Sequence, residues 1–238
     1  LNISLSTDYW TSVMDEFRAN PDFWKPVQPQ EKVLVEFASP NTNKPLHLGH
    51  IRNILLGWST YKILSACGHE VHRVQIVNDR GIAICKSMLA WQQFGEGVTP
   101  ESVGMKSDHF VGDWYVRFEK EFSAEYKEWQ QSNEGREKFE SLKGDDKSEA
   151  EFFKGYKNFY FNTHSQLGRD ARELLLKWED HDPETLALWR KMNGWVYKGF
   201  NETYKNLGVE FDKLYFESDT YLLGKDLIEE GISREVFY

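Results

Sequence analysis

The sequence predicts an α/β fold: a parallel sheet wound on both faces by helices and interrupted by a long helical insertion. Three observations predict it. KVLVEFA, residues 32–38, is a β-branched, mostly apolar run; a helix-period pattern follows; and EVHRVQIVN, residues 70–78, is a second apolar run. A strand-helix-strand order over residues 32–78 predicts two parallel strands joined by a right-handed crossover.

The elements follow in chain order. Residues 1–30 read as the end of an N-terminal region: a short strand, the helix DYWTSVMDEFRAN, then a linker in which Pro21, Pro26 and Pro29 prevent any long helix. KVLVEFA fits a central strand buried on both faces. Leu48, Ile51, Leu55, Trp58 and Tyr61 recur at spacings of three and four, which predicts an amphipathic helix ending at Gly68. From about residue 80 the chain turns helical, with a Gly/Pro/Ser connection through Gly104 and long aromatic, charged helices up to about Leu188. SNEGREKFESLKGDDKSEA, residues 132–150, is polar and reads as an exposed hairpin or mobile loop. The charge run over 117–151 reads as a solvated helix face. A last helix yields at Gly208 to VEFDKLYF, a return to the sheet. The expected domains are residues 31–95 for the first half of the sheet, 96–188 for the helical insertion, and 189–238 for entry into the second half.

Composition narrows the classes. With 40% hydrophobic residues and 15% aromatic ones among 238, the chain can bury a sizeable core. No run approaches the roughly 18 consecutive apolar residues of a membrane span, and LNISLSTDYW lacks the charged-then-apolar pattern of a signal peptide. A cytoplasmic protein without a membrane partner is expected. Cys67 and Cys85 are too few for a disulfide framework or a four-cysteine zinc site and read as reduced core residues. A net charge of -9 argues against indiscriminate nucleic-acid binding, though not against a local RNA contact.

In an open parallel sheet ligands sit beyond the carboxyl ends of the strands, which directs attention to SPNTNKPLHLGH, residues 39–50. This loop has neither the GxxxxGK of a Walker loop nor a GxGxxG fingerprint. It carries His47 and His50 three apart, at the expected first turn of a helix, where free N–H groups and the macrodipole already favour an anion. Two imidazole donors there can serve a phosphoryl group, and Gly49 between them leaves room for a flat ring such as adenine. Without an HExxH pattern or a third ligand nearby, no metal site is expected. Ser39 and Asn41 can equally be turn-formers around Pro40. Lys44 is either a phosphate-neutralising point charge or a solvated loop lysine. Glu36 ends an apolar strand, so its carboxylate faces solvent, a protein arginine such as Arg52, or a cationic ligand.

The H-x-G-H resembles the HIGH signature of class I aminoacyl-tRNA synthetases and related nucleotidylyltransferases, and VEFASPNTNKPLHLGHIRNILLG resembles its form in arginyl-tRNA synthetases. VNDRGIAICKSM and DPETLALWRKMNGWVYKGFNETYKNLGVEFD are similar to that family as well, so the likeness covers most of the chain and is weakest in the polar insertion. It implies a Rossmann-like, doubly wound nucleotide-binding fold and ATP-dependent attachment of L-arginine to tRNA(Arg) through an arginyl-adenylate, by an enzyme expected to be a monomer. Mg²⁺ is expected with the ATP phosphates, held partly by water. The resemblance implies that Lys44, His47, Gly49 and His50 bind ATP, that His47, His50 and Lys44 are catalytic, and that Glu36, Ser39, Asn41 and His47 hold arginine. Lys44 then stands in for a lysine of a second signature loop; KMN at 191–193 is only an echo of that loop. Where many members have GDWG, or a histidine near residue 83, this chain has NDRG and Ala83, which leaves the roles of Asn78 and Asp79 open. Other readings are a different H-x-G-H adenylylating enzyme, or a non-catalytic RNA-binding derivative of the fold. Both ends of the chain read as cut, and residues 1–238 alone are expected to form little adenylate.

Overall fold

The computed structural model describes residues 3–23, 31–142 and 148–237. The expected linker prolines Pro26 and Pro29, and residues 143–147 of the polar insertion, lie outside them. The chain forms two compact units: residues 1–39, 48–76 and 209–215 in the first, and residues 40–47, 77–208 and 216–238 in the second. No helix among the described residues is long and apolar enough to cross a membrane.

The first unit holds the sheet. Helix α1, Thr7–Ala19, starts at Ser6, whose side chain accepts the Tyr9 N–H; the described residues before it, Ile3 to Ser6, form no strand, contrary to expectation. Strand β1, Lys32–Glu36, pairs in parallel with β2, Glu70–Val77, in the register Lys32 to Glu70 through Glu36 to Val74. With β3, Lys213–Phe216, the sheet order is β1-β2-β3. Between the first two strands lies α2, Leu48–Ala66, so the strand-helix-strand unit stands as expected. VEFDKLYF becomes strand only in its second half.

Two expectations fail here for one reason. The strand β1 is not buried on both faces: Leu34 is 63% exposed while Val33 and Val35 are half-buried, because β1 is an edge strand with α2 covering one of its faces. The helix α2 seats its expected stripe only in part: Ile51, Trp58 and Tyr61 are half-buried, Leu48 and Leu55 stay exposed, and the fully buried residue is Ile54, outside the stripe. Phe37 decides this. Its ring lies against Gly57, where an added Cβ would sit 2.2 Å from Phe37 Cγ, and 4.7 Å from the ring of Phe211. The buried side of α2 therefore centres on Ile54 and Gly57, three apart. Trp58 and Tyr61 instead receive the guanidinium of Arg73, 5.5 and 4.5 Å from their ring centres. That guanidinium also forks onto Asp212, whose Oδ2 accepts Arg73 Nε at 2.9 Å and the Arg73 N–H at 2.8 Å. Cys67 is exposed rather than core, since it falls just past the end of α2 in the turn at Gly68.

The second unit is helical: α3 Ile82–Phe94, α4 Pro100–Val103, α5 Ser107–Gln131, α6 Asn133–Leu142, α7 Glu149–Thr163, α8 Gln166–Glu179, α9 Pro183–Leu207 and α10 Glu217–Ser233. α3 is its centre, with Ile84, Cys85, Met88 and Ala90 buried beneath α5, α8 and α9; burial pushes the Cys85 thiol up to about 12. Aromatic residues four apart on α5, Phe118, Phe122 and Tyr126, meet Phe153, Tyr160 and Phe161 of α7. Glu125 terminates this arrangement by accepting the Gln166 N–H at 2.7 Å and the Ser165 hydroxyl at 3.2 Å at the start of α8. Part of the expected polar loop is in fact α6, because Phe139 packs on Phe152 and Phe153 and gives the segment a face to bury.

Candidate functional site

Glu36, Ser39, Gly49 and His50 belong to the first unit; Asn41, Lys44 and His47 belong to the second. In the first, the end of β1 carries the ladder one step further, with the Phe37 N–H donating to Val74 O at 3.2 Å. The chain then turns through two non-glycine residues at positive φ, Ala38 at 72° and Ser39 at 36°. Each such residue costs on the order of 1 kcal/mol or more and persists only where its surroundings over-determine it. The surroundings here are specific. Asn53 Oδ1 accepts the Ala38 N–H at 2.7 Å. The Ser39 hydroxyl donates to Glu36 Oε1 at 2.7 Å and accepts the Ile76 N–H at 3.2 Å. A hydroxyl used as donor and acceptor has no rotamer freedom left, so the exposed Glu36 carboxylate is held by a side chain itself tied to β2. No ion pair joins Glu36 to Arg52. Gly49 and His50 are the second and third residues of α2, exposed and half-buried respectively.

In the second unit, residues 40–47 are pinned to the end of β2. Asn41 and Asn78 form a parallel bridge, the Asn78 N–H donates to Pro40 O at 3.1 Å, and the Thr42 N–H donates to Asn78 O at 3.1 Å. Thr42 and Asn43 are buried, at 1% and 4% exposure, and Pro45 rests on Gly112 of α5, where a Cβ would lie 2.4 Å from Pro45 Cδ. Asn41 and His47 remain exposed; His47 is the residue before α2. Lys44 is half-buried and has no ion-pair partner among the described residues. Among the described residues no three His, Cys, Asp or Glu side chains are grouped to hold a metal ion.

Sequence reasoning left Asp79 open and passed over its partners. Asp79 is 1% exposed. Its carboxylate accepts from the Tyr197 hydroxyl at 2.8 Å and from Ser218 twice, N–H at 2.9 Å and Oγ at 2.7 Å. Its carbonyl oxygen accepts Trp189 Nε1 at 2.6 Å and Asn193 Nδ2 at 3.0 Å. Burial, and then the Asp79 carboxylate, push the Tyr197 hydroxyl far above the usual phenol range, so it remains a donor. The signal was available: Asp79, like Glu36, is a lone acid at the end of an apolar strand. Asn53, one turn beyond His50, carried no such signal.

The family model for the catalytic domain of class I tRNA synthetases of the arginine type matches residues 22–230. The chain belongs to that family. Among curated class I relatives, it is 48% identical over 242 residues to the arginine-tRNA ligase of Phocaeicola vulgatus, covering 100% of this chain and 37% of that protein. To that of Porphyromonas gingivalis W83 it is 46% identical over 239 residues, covering 100% and 36%. The chain thus spans a little over a third of the length of these relatives. Among solved structures, Thermus thermophilus arginyl-tRNA synthetase matches with a TM-score of 0.54 at 23% identity, over 87% of this chain and 26% of that one. A putative arginyl-tRNA synthetase from Campylobacter jejuni matches with 0.53 at 16% identity, over 98% and 42%. At these identities the structures speak for the fold, and the fold is the Rossmann-like class I synthetase fold that the resemblance implied.

Proposed function

We propose that this chain is the arginine-activating part of a cytoplasmic arginyl-tRNA synthetase whose substrates are L-arginine, ATP and tRNA(Arg). In the first step the arginine carboxylate attacks the α-phosphorus of ATP: a carboxylate O–P bond forms, the bond to the bridging oxygen breaks, and pyrophosphate leaves. In the second, a ribose hydroxyl of the tRNA terminal adenosine attacks the activated carbonyl and AMP leaves. Neither step needs a protein nucleophile, so the work is positioning and charge stabilisation. Glu36 receives the guanidinium in a fork that a lysine substrate cannot reproduce. Ser39 and Asn41 assist in holding the amino acid. His47 and His50 donate to phosphoryl oxygens, with Gly49 giving the adenine room, and Lys44 neutralises the outer phosphates. Mg²⁺ accompanies ATP, carried by phosphate oxygens and water.

The observation that carries the arginine assignment is Glu36, an exposed carboxylate at the end of β1, held by Ser39 and without an ion-pair partner among the described residues. Arginine-dependent ATP-pyrophosphate exchange, then charging of tRNA with labelled arginine, tests the reading on the complete polypeptide that carries this chain. Calorimetric titration with arginine, ATP and tRNA separates the alternatives. Exchange driven by another amino acid, or tRNA binding with neither arginine nor ATP binding, overturns it.

A further inference from the structure

Helix α10 begins without a cap of its own: Phe216, at its N-cap position, makes no side-chain hydrogen bond. The first N–H groups of a helix have no intrahelical acceptor and gather partial positive charge, so a carboxylate there is doubly favoured. Asp79 supplies it from 139 residues upstream, with Oδ1 on the Ser218 N–H and Oδ2 shared between the Ser218 and Tyr197 hydroxyls. Its carbonyl oxygen meanwhile takes Trp189 and Asn193, both on α9. One buried residue therefore receives five donors from two helices. The residue before it, Asn78, is the bridge partner of Asn41 and exchanges backbone hydrogen bonds with Pro40 and Thr42. Within the 40–47 loop Asn43 Oδ1 is buried without a hydrogen-bond partner among the described residues, and the Thr42 hydroxyl reaches Asn78 O only at 3.5 Å.

We propose that Asp79 is a positioning residue for the amino-acid site: by capping α10 and gripping α9 it fixes Asn78, and through Asn78 it fixes Asn41 and the backbone of residues 40–42, whereas Lys44 and His47 flank Pro45, which has its own support on Gly112. The kinetic half of this inference rests on the arginine-activation reading; the structural half does not. Asp79→Asn keeps the volume but places an NH2 donor among donors, leaving a buried group unpaired.

Two measurements test it. In this chain, amide hydrogen exchange of Asp79→Asn should quicken at least 10-fold at Asn78 and Thr42, together with the first turn of α10. In the complete polypeptide, the KM for arginine in ATP-pyrophosphate exchange should rise about 10-fold while the KM for ATP stays within about twofold. Should Asp79→Asn fail to fold, Ser218→Ala and Tyr197→Phe each remove part of the grip and should give the same pattern in smaller measure. Faster exchange confined to α10, with Asn78 and Thr42 unchanged, overturns the proposal and leaves Asp79 as a cap only. Equal rises in both KM values overturn it too. A parent polypeptide lacking arginine-dependent exchange defeats the activation reading instead, and the amide data still decide the structural half.

Discussion

The Ser39 hydroxyl donates to Glu36 Oε1 at 2.7 Å while accepting the Ile76 N–H at 3.2 Å, so the carboxylate at the end of β1 is aimed by its own turn. Ser39→Ala removes the aim and leaves the charge. The KM for arginine should rise about 10-fold, the value of one hydrogen bond to a charged group, with the KM for ATP little changed. Steady-state ATP-pyrophosphate exchange measures both, and an unchanged arginine KM would show that the hydroxyl serves only the turn.

Glu36→Gln should weaken arginine more than Ser39→Ala does, since a neutral amide forfeits the charge-assisted fork. Losing roughly 1.5–3 kcal/mol corresponds to a 10- to 100-fold higher arginine dissociation constant by calorimetry. ATP binding should not follow. Parent-like arginine affinity in this variant would make Glu36 structural.

His47→Ala and His50→Ala test the phosphoryl donors, motivated by their position at the start of α2. Each should lower the rate of adenylate formation by roughly 10²-fold or more, the scale of deleting one preorganised donor. Circular dichroism and melting temperature should stay near the parent's. Near-native turnover in either variant removes that histidine from the mechanism.

The Arg73 fork holds the Asp212 carboxyl below its usual 3.8, at about 2. A carboxyl depressed by folding contributes stability that is fully present above its unfolded pKa. That contribution is lost as pH falls from about 4 towards 2. The Asp212 side chain is 37% exposed, and screening limits the effect to about 1 kcal/mol. Asp212→Asn should therefore lower stability at pH 7 and flatten its dependence across that acid window, read by urea unfolding at several pH values. An unaltered acid limb would assign the pH dependence to other groups.

Gly57→Ala places a methyl where Phe37 already sits, 2.2 Å from its Cγ. Overpacking on this scale costs roughly 1–3 kcal/mol. Because Phe37 adjoins the turn at Ala38 and Ser39, arginine affinity should fall along with the melting temperature. A variant as stable as the parent would mean that Phe37 moves freely.

The strand-helix-strand unit, the helical character from residue 80 and the stop at Gly208 were legible because each rests on local periodicity or on one glycine. The face that α2 buries was not, since it depends on Phe37 meeting Gly57, and an apolar stripe cannot say which partner will claim it. The helix α6 was hidden by its polar composition until Phe152 and Phe153, beyond residue 147, gave Phe139 something to pack on. At the candidate site, Glu36 and the H-x-G-H loop stood out by chemistry and position. Ser39 as the fastener of Glu36, and Asp79 as the anchor of Asn78, required distances that link residues remote in sequence.

The strand β3 reaches the sheet late. Asp212 meets Arg73 across 139 intervening steps of chain, and the length-dependent entropy of closing so long a loop is roughly 4 kcal/mol. Helices α3 to α9 all lie between Arg73 and Asp212 in the chain and pack on one another, so they can form while that gap is still open. During synthesis β1 and β2 would wait, with one edge of β2 unpaired, until some 140 more residues have followed. For that interval the nascent chain offers a template for strand addition, and the Arg73 guanidinium, already beside Trp58 and Tyr61, keeps a charge on that edge.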